Sequence, residues 1–432
     1  MNSRQIAVVA LQKCENSGYS NLVLKNILET TTLSNKDKGL VSILVYGTIE
    51  KMMLLDFILQ PFIKKPIEKL DSEVRAILRS GLYQCLFLTN IPNRAAINEA
   101  VLLTKKMGKT SASGFVNAVL RKTSVIDVTT LKFKNELERI SVTYCVSKSI
   151  AKIFMNSYKE NYEDILKACL EKAELTIRVN TLKTTQDKLI TLLTDKKIEI
   201  LETDINNCLI VKYKGDITKT QEFKDGLFNI QGKPSQITAL LVNAKKGEKI
   251  IDVCSAPGGK SSIIAQTMQN SGELYSCDLQ ESRLSLIQKV FNRLNITVGT
   301  VMQNDACVYN KKFENADAVL CDVPCSGIGI LSKKPDIRYK DLTNLQDLIN
   351  IQKKILETSS KYVKKGGRLI YSTCSLNPNE NQNVVSEFLK TNKEFKLKDT
   401  VINDVKYDGE TIFLPQKGQS DGFYLAYLER MC

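Results

Sequence analysis

The chain has 432 residues, of which 43% are hydrophobic and 25% are charged, and its net charge is +14. This length is sufficient for two or three globular domains. No apolar run approaches the roughly 18 residues that a membrane helix needs, and the N-terminus lacks the pattern of a signal peptide. The sequence therefore predicts a protein of the cytoplasm with no membrane partner, and we expect it to be monomeric.

The positive charge is concentrated near the N-terminus. Residues 1–144 contain 20 Lys and Arg residues against 12 Asp and Glu, so a third of the chain carries eight of the fourteen net charges. Such asymmetry is typical of a module that binds a polyanion such as RNA. A solvated lysine-rich surface is the alternative interpretation.

Cysteine is frequent, with twelve residues, whereas histidine is absent. The cysteines are dispersed and include no Cys-x-x-Cys pair, which favours reduced thiols that pack in the core over disulfides or a zinc site. We therefore predict no metal. Because the usual general base is missing, thiols are the best available nucleophiles.

The first 122 residues have the apolar spacing and the proline breaks of a helical bundle. The positions Ile6, Val9, Ala10, Leu11 and Cys14 share one helical face. Further helices are predicted at Lys38–Leu59, Ser72–Leu88, Ala95–Lys106 and Gly114–Lys122.

A polar connector, Thr123–Ser141, separates this bundle from a region of mixed character. Helices are predicted at Ser147–Lys159, Asn161–Glu171 and Thr185–Leu193, and strands at Leu175–Asn180 and Cys208–Tyr213. This pattern predicts a small α+β module.

From Gln231 onward, strands alternate with helices, which is typical of parallel βαβ units in a doubly wound, Rossmann-like sheet. The fold class predicted is thus multidomain, with bounds of 1–125 for the helical bundle, 126–230 for the linker and middle module, and 231–432 for the α/β domain. The predicted strands are 248–253, 273–277, 298–302, 317–321 and 367–371, and the predicted helices are 234–243, 259–269, 281–292 and 344–362.

The first motif of this domain is Ile250-Ile-Asp-Val-Cys-Ser-Ala-Pro-Gly-Gly-Lys-Ser-Ser, a strand followed by a glycine turn and a helix start. The glycines allow a ligand to approach the backbone, and the helix N-terminus presents free amide groups. The spacing is neither that of Walker A nor that of the dinucleotide fingerprint. Cofactor binding competes here with an ordinary turn that opens a helix.

Acidic residues follow the next two strands. Asp278 ends its strand 19 residues after Gly259, the position from which a carboxylate reaches the ribose hydroxyls of a nucleoside cofactor. Asp305 is placed to reach an adenine amino group. The alternative for both residues is a helix cap.

Two cysteines follow the last two predicted strands. Cys325 lies in Asp322-Val-Pro-Cys-Ser-Gly, and Cys374 lies in Tyr371-Ser-Thr-Cys-Ser-Leu-Asn-Pro-Asn-Glu-Asn. Carboxyl ends of strands are where reacting groups collect in an open α/β sheet. The basic residues Lys333, Lys334 and Arg338 could hold phosphates or stabilise a thiolate.

Four motifs resemble the S-adenosylmethionine-dependent RNA cytosine-5 methyltransferases when they are taken together and in this order. They are the glycine loop, the acid that ends the next strand, and the two cysteine segments. The segments Leu40-Val-Ser-Ile-Leu-Val-Tyr-Gly-Thr-Ile, Val74-Arg-Ala-Ile-Leu-Arg-Ser-Gly-Leu-Tyr-Gln and Gly114-Phe-Val-Asn-Ala-Val-Leu-Arg resemble the NusB-like RNA-binding domain. Arg178-Val-Asn-Thr-Leu-Lys is similar to a signature of the same family. The combination resembles that of the bacterial 16S ribosomal RNA methyltransferases of the Sun/Fmu (RsmB) type.

This resemblance implies S-adenosylmethionine as cofactor, 16S ribosomal RNA as partner, and a role for each motif residue. Cys374 would be the nucleophile, Cys325 would assist product release, and Asp322 would serve both base and cofactor. The cofactor loop would be Cys254, Ser255, Ala256, Pro257, Gly258, Gly259 and Lys260, with Asp278, Asp305 and Asp322 as cofactor-site acids.

Several alternatives remain open at the level of sequence. Strand-end position alone does not decide which cysteine attacks. A transfer RNA substrate is compatible with the catalytic motifs, and only the N-terminal domain argues for ribosomal RNA. An RNA-binding assembly factor with a degenerate methyltransferase domain is the main alternative from another class, although such a protein should have lost a cysteine or the glycine turn.

Overall fold

The computed structural model describes residues 1–17, 20–416 and 421–431, so the predicted domain end at residue 432 lies outside them. The chain divides into two compact units. The first contains Met1–Leu166 and the segment Lys333–Thr343, and the second contains Lys167–Ser332 and Asn344–Cys432. No helix among the described residues is long and apolar enough to cross a membrane.

The first unit is helical, and its helices bury one continuous apolar core. The predicted helix Lys38–Leu59 is two helices, because Lys51 leaves the helical conformation and caps both. The connector predicted at 123–141 contains the start of a further helix. The helices of this unit are α1 (Ser3–Ser17), α2 (Ser20–Thr30), α3 (Asn35–Glu50), α4 (Met52–Leu59), α5 (Ser72–Phe87), α6 (Asn93–Lys106), α7 (Ser113–Thr123), α8 (Glu136–Tyr144) and α9 (Lys148–Tyr158).

The segment Lys333–Thr343 packs within this first unit. Ser20 donates from its hydroxyl to Asp336 at 2.8 Å, and Ser147 donates its amide to the carbonyl of Arg338 at 2.7 Å. Arg338 is only 4% exposed and donates to the carbonyl of Glu50. Arg338 is therefore held within the helical packing of this unit, and its role toward a phosphate or a thiolate stays a prediction.

A four-stranded antiparallel sheet of order β2-β3-β1-β4 begins the second unit. Its apolar face packs on α11, where Leu189 and Leu193 are fully buried. Asn180 ties this module to the next sheet, since its side-chain amide donates to the carbonyl of Leu294 at 2.9 Å. Its elements are β1 (Leu175–Val179), α11 (Gln186–Thr194), β2 (Glu199–Glu202), β3 (Cys208–Lys212), α12 (Gln221–Lys224) and β4 (Phe228–Ile230), while α10 (Tyr162–Leu170) spans the division between the units.

The remainder contains a mixed sheet of order β10-β14-β9-β8-β5-β6-β7, with β13 also paired to β14, and a separate two-stranded sheet of β11 and β12. Five adjacent strands are parallel, and β14 runs antiparallel to β9. Helices cover both faces, which produces two separate apolar cores. The elements are α13 (Lys233–Leu241), β5 (Lys249–Asp252), α14 (Gly259–Thr267), β6 (Glu273–Asp278), α15 (Glu281–Leu294), β7 (Gly299–Gln303), β8 (Ala316–Asp322), α16 (Gln346–Ser360), β9 (Val363–Thr373), α17 (Gln382–Thr391), β10 (Phe395–Leu397), β11 (Thr400–Ile402), β12 (Val405–Tyr407), β13 (Glu410–Phe413) and β14 (Phe423–Arg430).

Candidate active site

The five parallel strands all end at one edge of the sheet. Each predicted site residue lies in or just after a strand terminus there, because parallel strands place their carboxyl ends together. The loop after β5 leads to Gly258, β6 ends at Asp278, β8 ends at Asp322, and Cys374 follows β9 directly. Asp305 follows β7 by two residues. The sequence motifs are thus brought to a common edge.

The two cysteines meet at this edge. Their Sγ atoms are 3.2 Å apart, within hydrogen-bonding distance for sulfur. The pKa of the Cys325 thiol is raised well above its ordinary value, first by the hydrogen bond with Cys374 and then by burial and by the charge of Cys374. Of the two sulfurs, Cys325 is therefore the one that holds its proton firmly.

Asp322 is fixed beside the thiols by two neighbours. Lys260 donates to its Oδ2 at 2.6 Å, and Ser372 donates from its hydroxyl to its Oδ1 at 2.8 Å. Lys260 also lies 5.3 Å from the ring centre of Phe423, a cation–π distance. The ammonium and carboxylate are partly buried, with 12% and 27% of their side chains exposed, so this pair is held in place while remaining accessible.

The glycine loop packs closely against neighbouring residues at the start of α14. Gly258 has φ of +102°, and a Cβ atom there would lie 3.3 Å from the Cα atom of Ile287. A Cβ atom on Gly259 would lie 3.2 Å from Oε1 of Gln231. That oxygen is buried and has no partner among the described residues. A polar ligand at this loop would satisfy an otherwise orphaned acceptor.

Beneath the loop, Asp252 forms the floor of the site. Its side chain is fully buried, and its Oδ2 accepts from the Ser261 hydroxyl at 2.6 Å. Ser261 is in turn hydrogen-bonded to Ser255 at 2.8 Å and to Ser276 at 2.9 Å. Burial raises the pKa of Asp252 to about 6, with the charge of Asp322 also raising it and the Ser261 hydrogen bond opposing the shift.

Cys254, within the same loop, differs from the thiol pair. Burial raises its pKa well above the ordinary value, and the nearby Cys321 and the site carboxylates raise it further. Its thiol is therefore held in the protonated form. Cys254 and Ala256 support the loop by packing against the apolar cores, whereas Pro257 is exposed.

Asp278 is buried and connected to the glycine loop by Arg283. The guanidinium of Arg283 lies 3.3 Å from Oδ2 of Asp278 and donates to the carbonyl of Ala256 at 3.2 Å. The amide of Gln280 donates to Oδ1 of the same carboxylate at 3.1 Å. Arg283 thus sets the spacing between the predicted ribose acid and the loop.

Asp305 lines an open groove of about 500 Å³ next to Asp278. Its Oδ1 accepts from the amide of Cys307 at 2.9 Å, so the residue caps its own turn while facing the groove. The groove has an apolar wall that includes Leu279, of a size suited to a flat ring. The lining residues are Leu279, Gln303, Asn304, Asp305, Val308, Tyr309, Asn310 and Lys311.

Sequence reasoning missed the residues that connect these parts. Arg283, Ser372 and Gln231 were not singled out, and Glu380 was quoted within the Cys374 motif without a role. Each acts on a partner many residues away, as Glu380 does on Ser326 at 2.5 Å. The available signals were an arginine in the first turn of α15, Arg283, and a glutamate that ends a proline-containing turn, Glu380. Neither signal is specific by itself.

Comparisons with known families match three regions of the chain, in the order of the helical bundle, the middle module and the sheet domain. Residues 1–124 match the NusB family, residues 149–218 match the ferredoxin-like domain of RsmF/B-like methyltransferases, and residues 239–429 match the 16S rRNA methyltransferase RsmB/F family. The fold and site are therefore those of a methyltransferase with an N-terminal NusB domain. The predicted fold class is confirmed.

Individual relatives extend over the full chain. The probable ribosomal RNA small subunit methyltransferase B of Bacillus subtilis (strain 168) is 35% identical over 99% of this chain and 98% of the relative. A protein of the same name from Synechocystis is 29% identical over 100% of both. The chain therefore belongs to the ribosomal RNA small subunit methyltransferase B family, which confirms the resemblance given by its motifs.

Solved structures share the fold. The crystal structure of PH0851 superposes with a TM-score of 0.84 over 100% of this chain and 99% of that chain, at 23% identity. A methyltransferase homolog from Pyrococcus horikoshii, 25% identical, has a TM-score of 0.61 and covers 69% of this chain and 100% of that chain.

Proposed function

We propose that this protein transfers a methyl group from S-adenosylmethionine to C5 of one cytosine in 16S ribosomal RNA, in the cytoplasm, through a covalent intermediate between cysteine and C6. The observation that carries the proposal is the pair of thiols, Cys325 and Cys374, with sulfur atoms 3.2 Å apart at the strand ends. Cytosine C5 is too weak a nucleophile to take a methyl group unaided. A thiolate that adds to C6 makes C5 electron-rich.

The residues at the sheet edge fit S-adenosylmethionine. The glycine loop leads into the N-terminus of α14, where backbone amide groups would bind the cofactor, and Gln231 offers an unsatisfied acceptor beside Gly259. Asp278 would bind the ribose hydroxyls, and the groove at Asp305 would take the adenine. S-adenosylmethionine supplies a methyl group activated by a positively charged sulfur.

Cys374 begins the reaction as a thiolate and adds to C6, so that the electron pair of the C5–C6 double bond becomes available at C5. Asp322 contributes at the N3 and N4 edge of the base, where the adding nucleophile increases the electron density of the ring. The contacts of Asp322 with Lys260 and Ser372 fix the direction in which the carboxylate points. After methylation, C5 carries both the new methyl group and its original hydrogen.

Cys325 then removes the C5 proton. While Cys374 is a thiolate, its hydrogen bond and its charge keep Cys325 protonated. Formation of the bond between sulfur and C6 removes both effects of Cys374, so the pKa of Cys325 falls while burial still raises it. Cys325 passes its proton to solvent at this stage and becomes the base. As Cys325 takes the C5 proton, the C–H electron pair restores the double bond, the C6–S bond breaks, and Cys374 leaves as a thiolate.

Trapping of the intermediate tests the two roles. Cys325→Ala, mixed with 16S RNA and cofactor, should accumulate a covalent protein–RNA adduct, because addition proceeds and release does not. Cys374→Ala should form no adduct under the same conditions. Denaturing gel electrophoresis with labelled RNA measures both. An adduct with Cys374→Ala but none with Cys325→Ala would reverse the assignment.

The NusB domain and the basic N-terminal third support ribosomal RNA as the substrate. The target base must be exposed, either in a single-stranded loop or by flipping out of a helix. Bisulfite sequencing of total RNA from cells with and without the gene identifies the site. Loss of one signal in small-subunit RNA is the expected result, loss of a transfer RNA signal would reassign the substrate, and no change would favour a binding protein without activity.

A further inference from the structure

Glu380 is a fully buried carboxylate that the proposed mechanism does not use. It lies in the short turn Pro378–Glu380, just before α17, and has 0% exposure. A buried carboxylate is stable only where donors replace the lost water. Its donors therefore reveal what it holds in place.

Both oxygens of Glu380 accept hydrogen bonds, and three of the four donors belong to the residues that directly follow Cys325 and Cys374. Its Oε2 accepts from the hydroxyls of Ser326 and Ser375, each at 2.5 Å. Its Oε1 accepts from the amide of Ser326 at 2.7 Å and from the side chain of Gln352 at 3.1 Å. Ser326 directly follows Cys325, and Ser375 directly follows Cys374.

The same contacts extend to the residues before the cysteines. Gln352, on α16, also donates to the carbonyl of Pro324 at 2.9 Å. The hydroxyl of Tyr371 donates to the carbonyl of Glu380 at 2.6 Å, which fixes the turn that carries the carboxylate against β9. One side chain thus connects three separate segments of the chain around the thiol pair.

We infer that Glu380 is the positioning residue that holds the Cys325 and Cys374 loops at the separation their chemistry requires. An ionised carboxylate accepts four hydrogen bonds and donates none, which matches four donors converging from one side. An amide would turn one N–H₂ group toward these donors and leave some of them unsatisfied. Displacement of a reacting group by about 1 Å can cost about 100-fold in rate.

The position of Glu380 affects charge as well as distance. Its carboxylate is among the groups that raise the pKa of Cys325, alongside the larger effects of Cys374 and burial. A negative charge next to Ser326 therefore favours the protonated form of Cys325 at every stage, and it makes the Cys325 thiolate a stronger base once that thiolate has formed. The residue acts through its neighbours and does not touch the substrate.

Since the inference rests on the proposed function, the first test measures kcat and KM for methylation of 16S RNA. Glu380→Gln should lower kcat about 100-fold while KM for RNA and for S-adenosylmethionine changes by less than about threefold. Glu380→Asp, which retains the charge, should recover part of the rate. The matched control is Glu387→Gln, since Glu387 on α17 is exposed and pairs with Lys353 away from both loops.

A cycle of variants distinguishes positioning from general destabilisation. Glu380 also accepts from the Ser326 amide and from Gln352, which a Ser326→Ala, Ser375→Ala background retains. Glu380→Gln should therefore lower kcat further in that background, but by much less than the about 100-fold expected in the wild type. Multiplicative effects would overturn the inference, because they would mean that the carboxylate acts independently of the serines.

A second readout does not depend on methylation. Diamide oxidises two neighbouring thiols to a disulfide and is itself reduced to the hydrazine, taking up two electrons and two protons. The wild-type protein should form the Cys325–Cys374 disulfide rapidly, and Glu380→Gln should form it about tenfold more slowly, as measured by mass spectrometry of the linked peptides. Unchanged oxidation rates in Glu380→Gln and in the double serine variant would overturn the inference even if the wild type methylates RNA. A wild type that oxidises as expected but does not methylate would overturn the proposed function alone.

Discussion

Asp252 shows how one buried residue links stability to pH. It lies at the end of β5, in the floor of the site, where its carboxyl is wholly removed from water and has one hydroxyl partner, Ser261. Its other oxygen has no hydrogen-bond partner among the described residues. In such surroundings the neutral acid is more stable than the anion.

The pKa of Asp252 in the folded protein is about 6, above its ordinary value of 3.8. Between these values the unfolded chain has lost the proton and the folded protein retains it, so the free energy of unfolding should fall as pH rises from about 4 to about 6. Asp252→Asn imitates the neutral acid. Relative to it, the wild type should lose up to about 3 kcal/mol across this window and no more above it.

Calorimetric unfolding of both proteins from pH 4 to pH 8 measures this difference. At pH 4 the two should unfold at similar temperatures, because both carry a neutral side chain. A difference that does not depend on pH would contradict the raised pKa. Ser285→Ala is a suitable control, since Ser285 is exposed on α15 and contacts no titrating group of the site.

At the scale of elements, three backbone segments approach one another beside the thiols. The amide of Gly329 donates to the carbonyl of Cys374 at 3.0 Å, and the amide of Gly422 donates to the carbonyl of Gly329 at 2.7 Å. The loops after β8 and β9 and the start of β14 are thereby joined. A side chain at Gly329 has no space, since its Cβ atom would lie 2.1 Å from the Gly422 carbonyl oxygen.

Gly329→Ala should therefore displace backbone and with it the Cys374 loop. We expect a loss of about 1–3 kcal/mol in unfolding free energy and a fall in kcat that exceeds any change in cofactor affinity. Gly114→Ala is the control, because Gly114 lies in α7 with open space around its Cβ position and should gain slightly in stability. Retention of both stability and activity by Gly329→Ala would contradict the close approach of these segments.

The alternating elements of the sheet domain could be predicted from sequence because each depends on local periodicity. Strand β8 and helix α15, for example, begin and end within two residues of their predicted limits. Strands β10, β13 and β14 were not predicted, since they are short or follow loop-like residues and gain their hydrogen bonds only from distant partners. Helix α8 was taken as connector because acidic and basic residues fill its first turns.

The residues of the candidate site likewise fall into those that local sequence predicts and those that depend on distant partners. Residues at strand ends, such as Asp278 and Cys374, could be predicted because the carboxyl edge of a parallel sheet follows from topology. Glu380 and Arg283 could not be assigned a role, because their partners lie on separate segments and only folding brings them together. The placement of Arg338 in the helical unit had no signal in its own motif.

At the scale of the whole molecule, the distribution of charge predicts where RNA binds. The first 144 residues carry eight of the fourteen net positive charges, whereas the sheet domain supplies the chemistry. Binding of RNA by such a surface releases counterions, so affinity should fall steeply as salt rises, by about 0.7–0.9 logarithmic units per tenfold change in salt for each phosphate contacted.

A pair of adjacent lysines in each unit tests this division. Lys64 and Lys65 are exposed on a proline-bounded turn of the helical unit, and Lys245 and Lys246 are exposed on the turn before β5, at the sheet edge opposite the thiols. Both pairs lie outside regular helices, so Lys→Gln changes in either should leave the fold intact.

Lys64→Gln with Lys65→Gln should weaken binding to 16S RNA and lower the salt slope by about one to two units. Lys245→Gln with Lys246→Gln should change neither quantity, although it removes the same charge. Filter binding or fluorescence anisotropy over about 50–300 mM salt, a range in which the Debye length changes severalfold less than the affinity, gives both slopes. Equal losses from the two pairs would mean that total charge, and not the helical unit, attracts the RNA, and the proposal that this unit selects ribosomal RNA would then fail.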